Sequence, residues 1–296
     1  MNSVLERTAV RVRPRHGAHR SVRLSIWKGL VYVILIAGSI LMLFPFFWLL
    51  RSSLMDNGQI FVFPPEWIPR PFMWSNYPNA LTSVPFLTFF TNTMMIELFT
   101  MSGTMLTSVM AAYSFARLKW NGRSLIFAAL LSTMMLPYAV TLIPTFMLWK
   151  SLGALDSFVP LTVPSWFGGG AFNIFLLRQF FMTIPKDLDE AAYMDGARPP
   201  TVLLHIIVPL SKPALIVVGI FTFIGVWNEF LGPVIYLNSE KHFTLSLGLA
   251  AFQGLYNAQW GYLMAASATI VSPIIGLFFL AQRYFIEGIT LTGIKG

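Results

Sequence analysis

Side chains that could carry out catalysis or bind a metal are sparse in this sequence. There is no cysteine, which excludes cysteine-ligated zinc and thiol chemistry. Histidine occurs only four times, without the spacing of a metal site, at His16, His19, His205 and His242. No Ser/His/Asp arrangement can be recognised. We therefore expect a chain that is not itself an enzyme and holds no metal or cofactor.

A nucleotide-binding loop is also missing. Such a loop needs glycine and lysine in succession, followed by serine or threonine. Gly288 and Gly293 have the required glycine spacing, but Ile294 follows where the lysine is needed. Glycines 168–170 lie within an apolar segment and are expected to form a kink or a close helix contact. If this chain works with ATP, a partner chain must bind the nucleotide.

The segment 184–209 has the most specific spacing of charged and small residues. Pro185 suits the first turn of a helix, and Gly196 suits a left-handed stop. Negative charge is favoured near the start of a helix, where the sequence has Asp187, Asp189 and Glu190. Helical spacing gives one flat face to Leu188, Ala191, Ala192 and Asp195. The segment is predicted to present a short helix to another protein, with a second short helix starting at Pro199.

The composition indicates the solvent that surrounds these residues. The chain of 296 residues is 56% hydrophobic and only 11% charged, whereas soluble domains average about 25% charged residues. A bilayer allows apolar groups to face outward, and a helix crosses it with about 20 apolar residues. Six segments are long enough: 27–50, 86–115, 125–149, 158–181, 213–237 and 261–285. Prolines in the third, fourth and sixth are expected to kink them.

The fold class predicted is therefore an all-α polytopic membrane protein with six transmembrane helices. A basic tail covers residues 1–25, and one membrane domain covers residues 26–296. With the N-terminus in the cytoplasm, sixteen of the 20 Lys and Arg residues fall on cytoplasmic segments, as the positive-inside rule requires. The segment 184–209 then lies in the cytoplasm, together with both chain ends. The tail is interpreted as an orientation signal rather than a nucleic-acid patch.

Two segments are predicted to lie on the outer side. Residues 51–85 combine aromatic residues with prolines, which favours the membrane–water interface over a regular helix. Residues 238–260 form the second segment and include polar and aromatic residues.

The motifs on these elements resemble those of a known family. Glu190-Ala191-Ala192, then Gly196, then residues 206–209 ending in Pro209 resemble the EAA loop of ABC importer permeases. The family pattern has Leu where this chain has Val208. Further likeness, to the carbohydrate branch and its maltose permease G type, lies in residues 113–118, 227–230 and 293–296. The ending Gly-Ile-Lys-Gly departs from the usual Gly-Ala-Val-Lys-Gly.

The resemblance implies a type I ABC importer permease fold, in which the EAA loop is a coupling helix that docks on an ATPase dimer. ATP and Mg would be bound by that partner. It also implies a second permease subunit of the maltose permease F type and an extracytoplasmic sugar-binding protein, in a bacterial inner membrane. The coupling residues implied are Asp189, Glu190, Ala191, Ala192, Met194, Asp195, Gly196 and Pro209.

Candidates for other sites follow from residue type and position. An acid within a span is costly and is a functional candidate, although Glu97 could equally form a structural hydrogen bond. The pathway candidates are Trp227, Asn228, Glu229, Glu97 and Asn173. Trp227 and its neighbours could instead pack against the second permease. The candidates for contact with the binding protein are Gln253, Tyr256 and Asn257.

The sequence bears on three other functions. A secondary carrier would be expected to show paired broken helices in matching halves, and the sequence shows no such correspondence. A permease of the same fold for a glycerol phosphate solute stays open, because those importers belong to the same branch. A peptide permease fits residues 227–228 and the C-terminal ending less well.

Overall fold

A computed structural model describes the backbone of residues 17–253 and 258–293, and the side chains of residues 27–253 and 258–282. These residues form helices, turns and irregular segments, with no strand among them. In chain order the α-helices are α1 (Gly17–Ser53), α2 (Asn57–Ile60), α3 (Asn76–Ser83), α4 (Phe86–Arg117), α5 (Arg123–Thr133), α6 (Tyr138–Ser151), α7 (Val159–Thr162), α8 (Ala171–Thr183), α9 (Asp187–Met194), α10 (Pro199–Val202), α11 (Val208–Leu210), α12 (Lys212–Trp227), α13 (Leu231–Tyr236), α14 (Leu245–Gly248) and α15 (Trp260–Gly293).

Three of these helices are long and apolar enough to cross a bilayer by themselves: Trp27–Ser53 of α1, the whole of α4, and Trp260–Gln282 of α15. They agree with the first, second and sixth predicted spans. The described side chains of α1 are almost all exposed up to Phe47, which suits a helix that faces lipid. Pro273 lies within the continuous helix α15.

The middle of the chain is broken rather than straight. Helices α5 and α6 meet at 97°, and the segment from Pro199 to Leu210 meets α12 at 81°. The first bend lies just before Pro137, which precedes α6. Counting each bent pair as one span gives up to five candidates among the described residues. The count of six spans therefore stays a prediction.

The predicted fourth span, 158–181, contains two short helical segments before α8. Helix α7 continues into a 3₁₀ turn, Val163–Trp166, and three glycines with positive φ follow. At Gly169 an added Cβ would lie 2.6 Å from the carbonyl oxygen of Thr104. Glycine is required there because the chain passes so close to α4, as the sequence predicted.

Helix α4 is central to the packing. It contacts α8, α12 and the 3₁₀ turn after α7, while α1 and α3 pack on α15. One buried cluster joins the end of α4 to α8, α10 and the start of α12; its members include Tyr113, Phe181, Ile207 and Val218. A second cluster, with Phe89 and Trp227, lies at the other end of α4. The long helix thus connects two packed regions.

The segment 51–85 contains the short helices α2 and α3 and is rich in exposed aromatic rings, such as Phe63 at 92% exposure. It is held by Asn76, whose amide donates to the carbonyl oxygens of Ser53 at 2.9 Å and Met55 at 2.8 Å. Trp67 packs edge-on against Trp48 of α1.

Candidate functional site

Helix α9 is a separate short helix with a well-defined end. It begins at Asp187, so Pro185 precedes the first turn instead of occupying it. Gly196 follows with φ +83°. Its N–H donates to the carbonyl of Tyr193 at 3.0 Å, and the Ala197 N–H donates to the carbonyl of Ala192 at 2.9 Å. These two bonds make the Schellman motif that ends many helices at glycine, so the predicted stop at Gly196 is observed.

One side of α9 is attached to the end of α4. The carboxylate of Asp189 lies 3.4 Å from the Arg117 guanidinium, with side-chain exposures of 9% and 2%. Another nitrogen of Arg117 donates to the carbonyl of Ile184 at 2.7 Å. One turn further along, the hydroxyls of Tyr193 and Tyr113 are 3.3 Å apart. The last turns of α4 therefore hold both ends of α9.

The electrostatics of this attachment are those of a buried ion pair. Burial raises the pKa of Asp189, and the positive charge of Arg117 offsets only part of that shift. Desolvation outweighs attraction here, which is common for buried pairs. The pair therefore fixes the position of α9 more than it adds to stability.

These contacts correct one part of the expectation for 184–209. Asp189 was grouped with the residues that face a partner, but its side chain is buried against Arg117. Ala192 is half-buried and packs against the cluster at the end of α4. Both residues therefore attach α9 to the domain. The reason is the helical repeat, which turns residues 189, 192 and 193 to the same side.

The opposite side of α9 is exposed. Glu190, Ala191 and Asp195 are exposed, and so are the apolar side chains of Leu188 at 41% and Met194 at 88%. Residues 187, 190, 191 and 194 follow the helical repeat and form one face, which we call the outer face of α9. Ala191 is small, and its neighbours on this face are the carboxylates of Asp187 and Glu190 and the exposed side chain of Met194. Another protein can therefore approach the face closely.

A series of short helical segments connects α9 to α12. Pro199 and Pro200 start α10 as predicted, and a π-helical turn, Leu203–Ile207, follows before α11. Pro209 is exposed at α11. Having no N–H, it cannot make the α-helical bond four residues back. The bend of 81° comes next, at the fully buried Ser211.

The predicted pathway residues separate into different environments. Trp227 is 2% exposed, its N–H donates to the carbonyl of Ile270 at 3.1 Å, and its ring stacks on Phe223. Trp227 therefore packs helices together, because its ring and its donor are both occupied. The Asn173 amide donates to the carbonyl of Gly169 at 2.8 Å and holds the glycine turn.

Asn228 and Glu229 lie between the end of α12 and the start of α13. The Asn228 amide donates to the carbonyl of Ile224 at 2.8 Å. A carboxylate oxygen of Glu229 accepts the N–H of Gly232 at 2.8 Å. Glu229 also lines a cavity of about 490 Å³ between α4, α6, α7 and the α12–α13 break. Glu229 alone of the pathway candidates lines this cavity in the described part of the chain.

Glu97 is 3% exposed within α4 and does not line that cavity. Neither of its carboxylate oxygens has a hydrogen-bond partner among the described residues. Gln253 is exposed, as a contact residue would be. Tyr256 and Asn257 lie outside the described residues. His205 and His242 belong to no group that could hold a metal in the part of the chain that the structure describes.

Comparison with known proteins decides the family. The family model described as "Binding-protein-dependent transport system inner membrane component" matches residues 103–290. That range includes α9, its connection to α12 and the cavity-forming break. The chain belongs to this family.

Individual relatives show that the likeness covers nearly the whole chain. This chain is 32% identical to the arabinooligosaccharides transport system permease protein AraQ of Bacillus subtilis, and the match covers 93% of this chain and 99% of that protein. It is also 32% identical to the sn-glycerol-3-phosphate transport system permease protein UgpE of Yersinia enterocolitica, over 87% of this chain and 94% of that protein.

A solved structure supports the fold. The crystal structure of a bacterial ABC transporter involved in import of the acidic polysaccharide alginate contains a chain that matches 92% of this permease. The match covers 100% of that chain with a TM-score of 0.77 and 24% identity. The permease is therefore a helical ABC importer permease in fold, and its family is that of multi-pass inner-membrane components.

Two structural features of this permease were missed by reasoning from the sequence. In the sequence, Arg117 stands out only as part of the motif in residues 113–118. Its contact with Asp189 could not be predicted, because the fold brings these distant residues together. Asp156 was not singled out at all. Its carboxylate accepts the backbone N–H groups of Asn238 at 2.9 Å and Ser239 at 2.8 Å, and lies 3.1 Å from His242. The hydrogen bonds from Ser239 hold the pKa of Asp156 well below its usual range.

Asp156 also has a positive φ of +56°, which is uncommon outside glycine, asparagine and aspartate. It joins the turn before α7 to the segment after α13. An isolated aspartate in a loop gives little signal in one sequence, because its partners lie some eighty residues away.

Proposed function

We propose that this permease forms half of a carbohydrate pathway and that α9 couples it to a separate ATPase. ATP and Mg would be held by the ATPase dimer, so this chain contributes binding and movement but no catalysis. The second half of the pathway would come from another permease subunit. An extracytoplasmic binding protein would deliver the sugar.

The observation that carries the proposal is the two-sided construction of α9. Its inner side is held to α4 through Asp189 and Tyr193. Its outer face, with Glu190 and Met194, is exposed. Helix α9 is attached to the end of α4 on one side and exposed on the other. This arrangement is suited to transmit a displacement applied by a docked partner.

The topology proposed has six crossings with both chain ends in the cytoplasm. The distribution of Lys and Arg favours this orientation. The broken segments α5–α6, α7–α8 and α12–α13 would each serve as one crossing, since non-helical backbone within a membrane is tolerated where it is buried in protein or lines a cavity. This arrangement leaves α9 on the cytoplasmic side.

The cargo proposed is a sugar or oligosaccharide. Support comes from the arabinooligosaccharide permease among the relatives and from the motifs of the carbohydrate branch. The glycerol phosphate permease is related to the same extent, 32%, and its cargo is the second candidate. The proposed coupling through α9 is the same for both candidate cargoes.

The coupling role is tested by Glu190→Ala in the full-length chain, expressed in its native host. We expect the amount of ATPase that co-purifies from membranes to fall at least about tenfold, which corresponds to loss of about 1.4 kcal/mol of binding free energy. ATP-driven sugar uptake should fall with it. The control is Glu240→Ala, which removes an exposed glutamate on the opposite side of the proposed membrane.

The control variant should retain both co-purification and uptake. Normal co-purification of the ATPase with Glu190→Ala would contradict the proposal. Uptake that continues after ATP depletion but stops when ion gradients are collapsed would favour a secondary carrier instead.

A further inference from the structure

The cavity of about 490 Å³ beside Glu229 has the size of a small-molecule site. Its walls come from α4, α6, α7 and the segment around the α12–α13 break. Both Gly225, near the end of α12, and Gly232, near the start of α13, line it, on either side of the interruption in the helical backbone. Interrupted helices at a cavity are a recurring feature of transporter binding sites.

The cavity wall is aromatic. Tyr138, Trp149 and Tyr236 line it together with three prolines. Tyr236 is 4% exposed, and its ring lies nearly parallel to that of Phe146 with centroids 6.4 Å apart. That support fixes the orientation of the ring. Flat rings of this kind bind the C–H faces of sugar rings.

Two polar groups at the cavity, those of Glu229 and Trp149, are free to bind the hydroxyls of a ligand. One carboxylate oxygen of Glu229 is bonded to Gly232, and the other accepts no hydrogen bond from any described residue, so it is available to a ligand. The indole N–H of Trp149 has no hydrogen-bond partner in the described part of the chain. A buried donor left unpaired is unfavourable, and a ligand oxygen would satisfy it.

The charge of the cavity separates the two cargo classes. Among the described residues, the lining contains one carboxylate, Glu229, and no lysine, arginine or histidine. Lys150 follows Trp149 in the chain but is not part of the lining. A phosphate ester would meet the negative charge of Glu229 with no compensating cation in the lining, and like charges at short range repel each other.

We propose that this cavity is a binding site for a neutral carbohydrate, with Trp149 as ring platform and Glu229 as hydroxyl acceptor, and that Glu229 excludes phosphate esters. This inference rests on the proposed function for its carbohydrate cargo. It goes further by naming the site and by choosing between the two cargo classes.

The absence of cysteine from the sequence provides a direct test. Thr145 lines the cavity, so Thr145→Cys introduces one reactive group there. The control is Thr82→Cys, on the exposed surface of α3 outside the cavity. Each variant is labelled, in membranes containing the whole transporter, with a cationic trimethylammonium or an anionic sulfonate methanethiosulfonate reagent. The cation-to-anion rate ratio at position 145 is divided by the ratio at position 82.

The normalised ratio is expected to be at least about tenfold in favour of the cation, because the two reagents experience the Glu229 charge with opposite signs. Adding Glu229→Gln should bring the ratio back close to one. A ratio near one with Glu229 present, or one unaffected by Glu229→Gln, would overturn the assignment of Glu229 as the excluding charge.

The ligand class is tested in the same membranes by protection. A mixture of arabinotriose and maltotriose should slow labelling of Thr145→Cys and leave Thr82→Cys unaffected, whereas sn-glycerol 3-phosphate should protect neither. Protection by glycerol phosphate, or none by the sugars, overturns the inference. ATP-driven uptake measured in parallel distinguishes failure of the cavity assignment from failure of the proposed function. If uptake persists when the labelling result is negative, the proposed function stands. If uptake does not depend on ATP, that function is refuted whatever the labelling shows.

Discussion

Removing the Arg117 guanidinium is the most informative perturbation of the attachment between α4 and α9. Arg117→Met leaves the Asp189 carboxylate buried without its cation and deletes the bond to the Ile184 carbonyl. Breaking a buried ion pair by removing one partner costs about 3–5 kcal/mol. The separation of 3.4 Å is long for a hydrogen-bonded pair, so we take about 3 kcal/mol.

The cost should appear locally, as easier opening of α9. Since about 1.4 kcal/mol corresponds to a factor of ten, amide hydrogen exchange in residues 187–194 should accelerate about a hundredfold in Arg117→Met. Exchange in α12 should change little. The measurement is hydrogen exchange of the full-length chain in detergent or nanodiscs, read by mass spectrometry.

A matched control is available in Arg123. Its guanidinium also donates to a backbone carbonyl, that of Leu118 at 2.8 Å, but it has no ion-pair partner among the described residues. Arg123→Met should therefore leave exchange in α9 close to that of the unmodified chain. Equal acceleration in the two variants would mean that the Asp189 charge plays no part, and it would refute the reasoning.

A second substitution and pH should both reverse the defect. Adding Asp189→Asn to Arg117→Met removes the unpaired charge and should recover most of the protection. The pKa of Asp189 is already raised by burial, and it rises further without Arg117. The folded state therefore binds the proton more tightly than the unfolded state, so stability is present at low pH and is lost as pH rises through the raised value. The defect of Arg117→Met should shrink as the pH is lowered from neutral toward the ordinary aspartate pKa of 3.8.

Three further substitutions test neighbouring features. Gly196→Ala forces a side chain into φ +83° and should destabilise the end of α9 by about 1 kcal/mol, seen as faster exchange there, whereas Gly219→Ala within α12 should not. Gly169→Ala places a Cβ 2.6 Å from the Thr104 carbonyl, so the yield of folded chain and the thermal midpoint should both fall. Trp227→Phe keeps an aromatic ring but loses the bond to Ile270 and part of the buried ring volume. It should cost at least about 1 kcal/mol of unfolding free energy with uptake retained, and loss of uptake at unchanged stability would contradict its packing role.

Much of the architecture follows from local sequence patterns. Helices α1, α4 and α15 are long uninterrupted apolar runs, which is why hydropathy predicts their existence and approximate ends. Helix α9 has its stop encoded by Gly196, so its end is also predictable. The bent segments are not, because proline and glycine indicate that a helix breaks but not the angle at which it continues.

The roles of individual site residues depended on contacts between distant parts of the chain. Asp189 looks like a docking residue until Arg117 is placed beside it, and nothing near residue 189 in the sequence announces that neighbour. Trp227 next to Asn228 and Glu229 has the composition of a sugar site, yet its ring is buried against Phe223 and its N–H is bonded to Ile270. The aromatic residues that do line the cavity, Tyr138, Trp149 and Tyr236, come from α6 and α13.

Helix α4 links the two functional regions in one continuous element. Thr93, near its N-terminal end, lines the cavity and accepts the N–H of Leu245 at 2.9 Å, while Arg117, its last residue, holds α9. At about 1.5 Å per residue these positions are about 36 Å apart along the axis. A displacement of α9 therefore reaches the cavity wall without passing through a loop. The bend at Ser211 gives α12 no such continuity, so α4 is the continuous connection between α9 and the cavity.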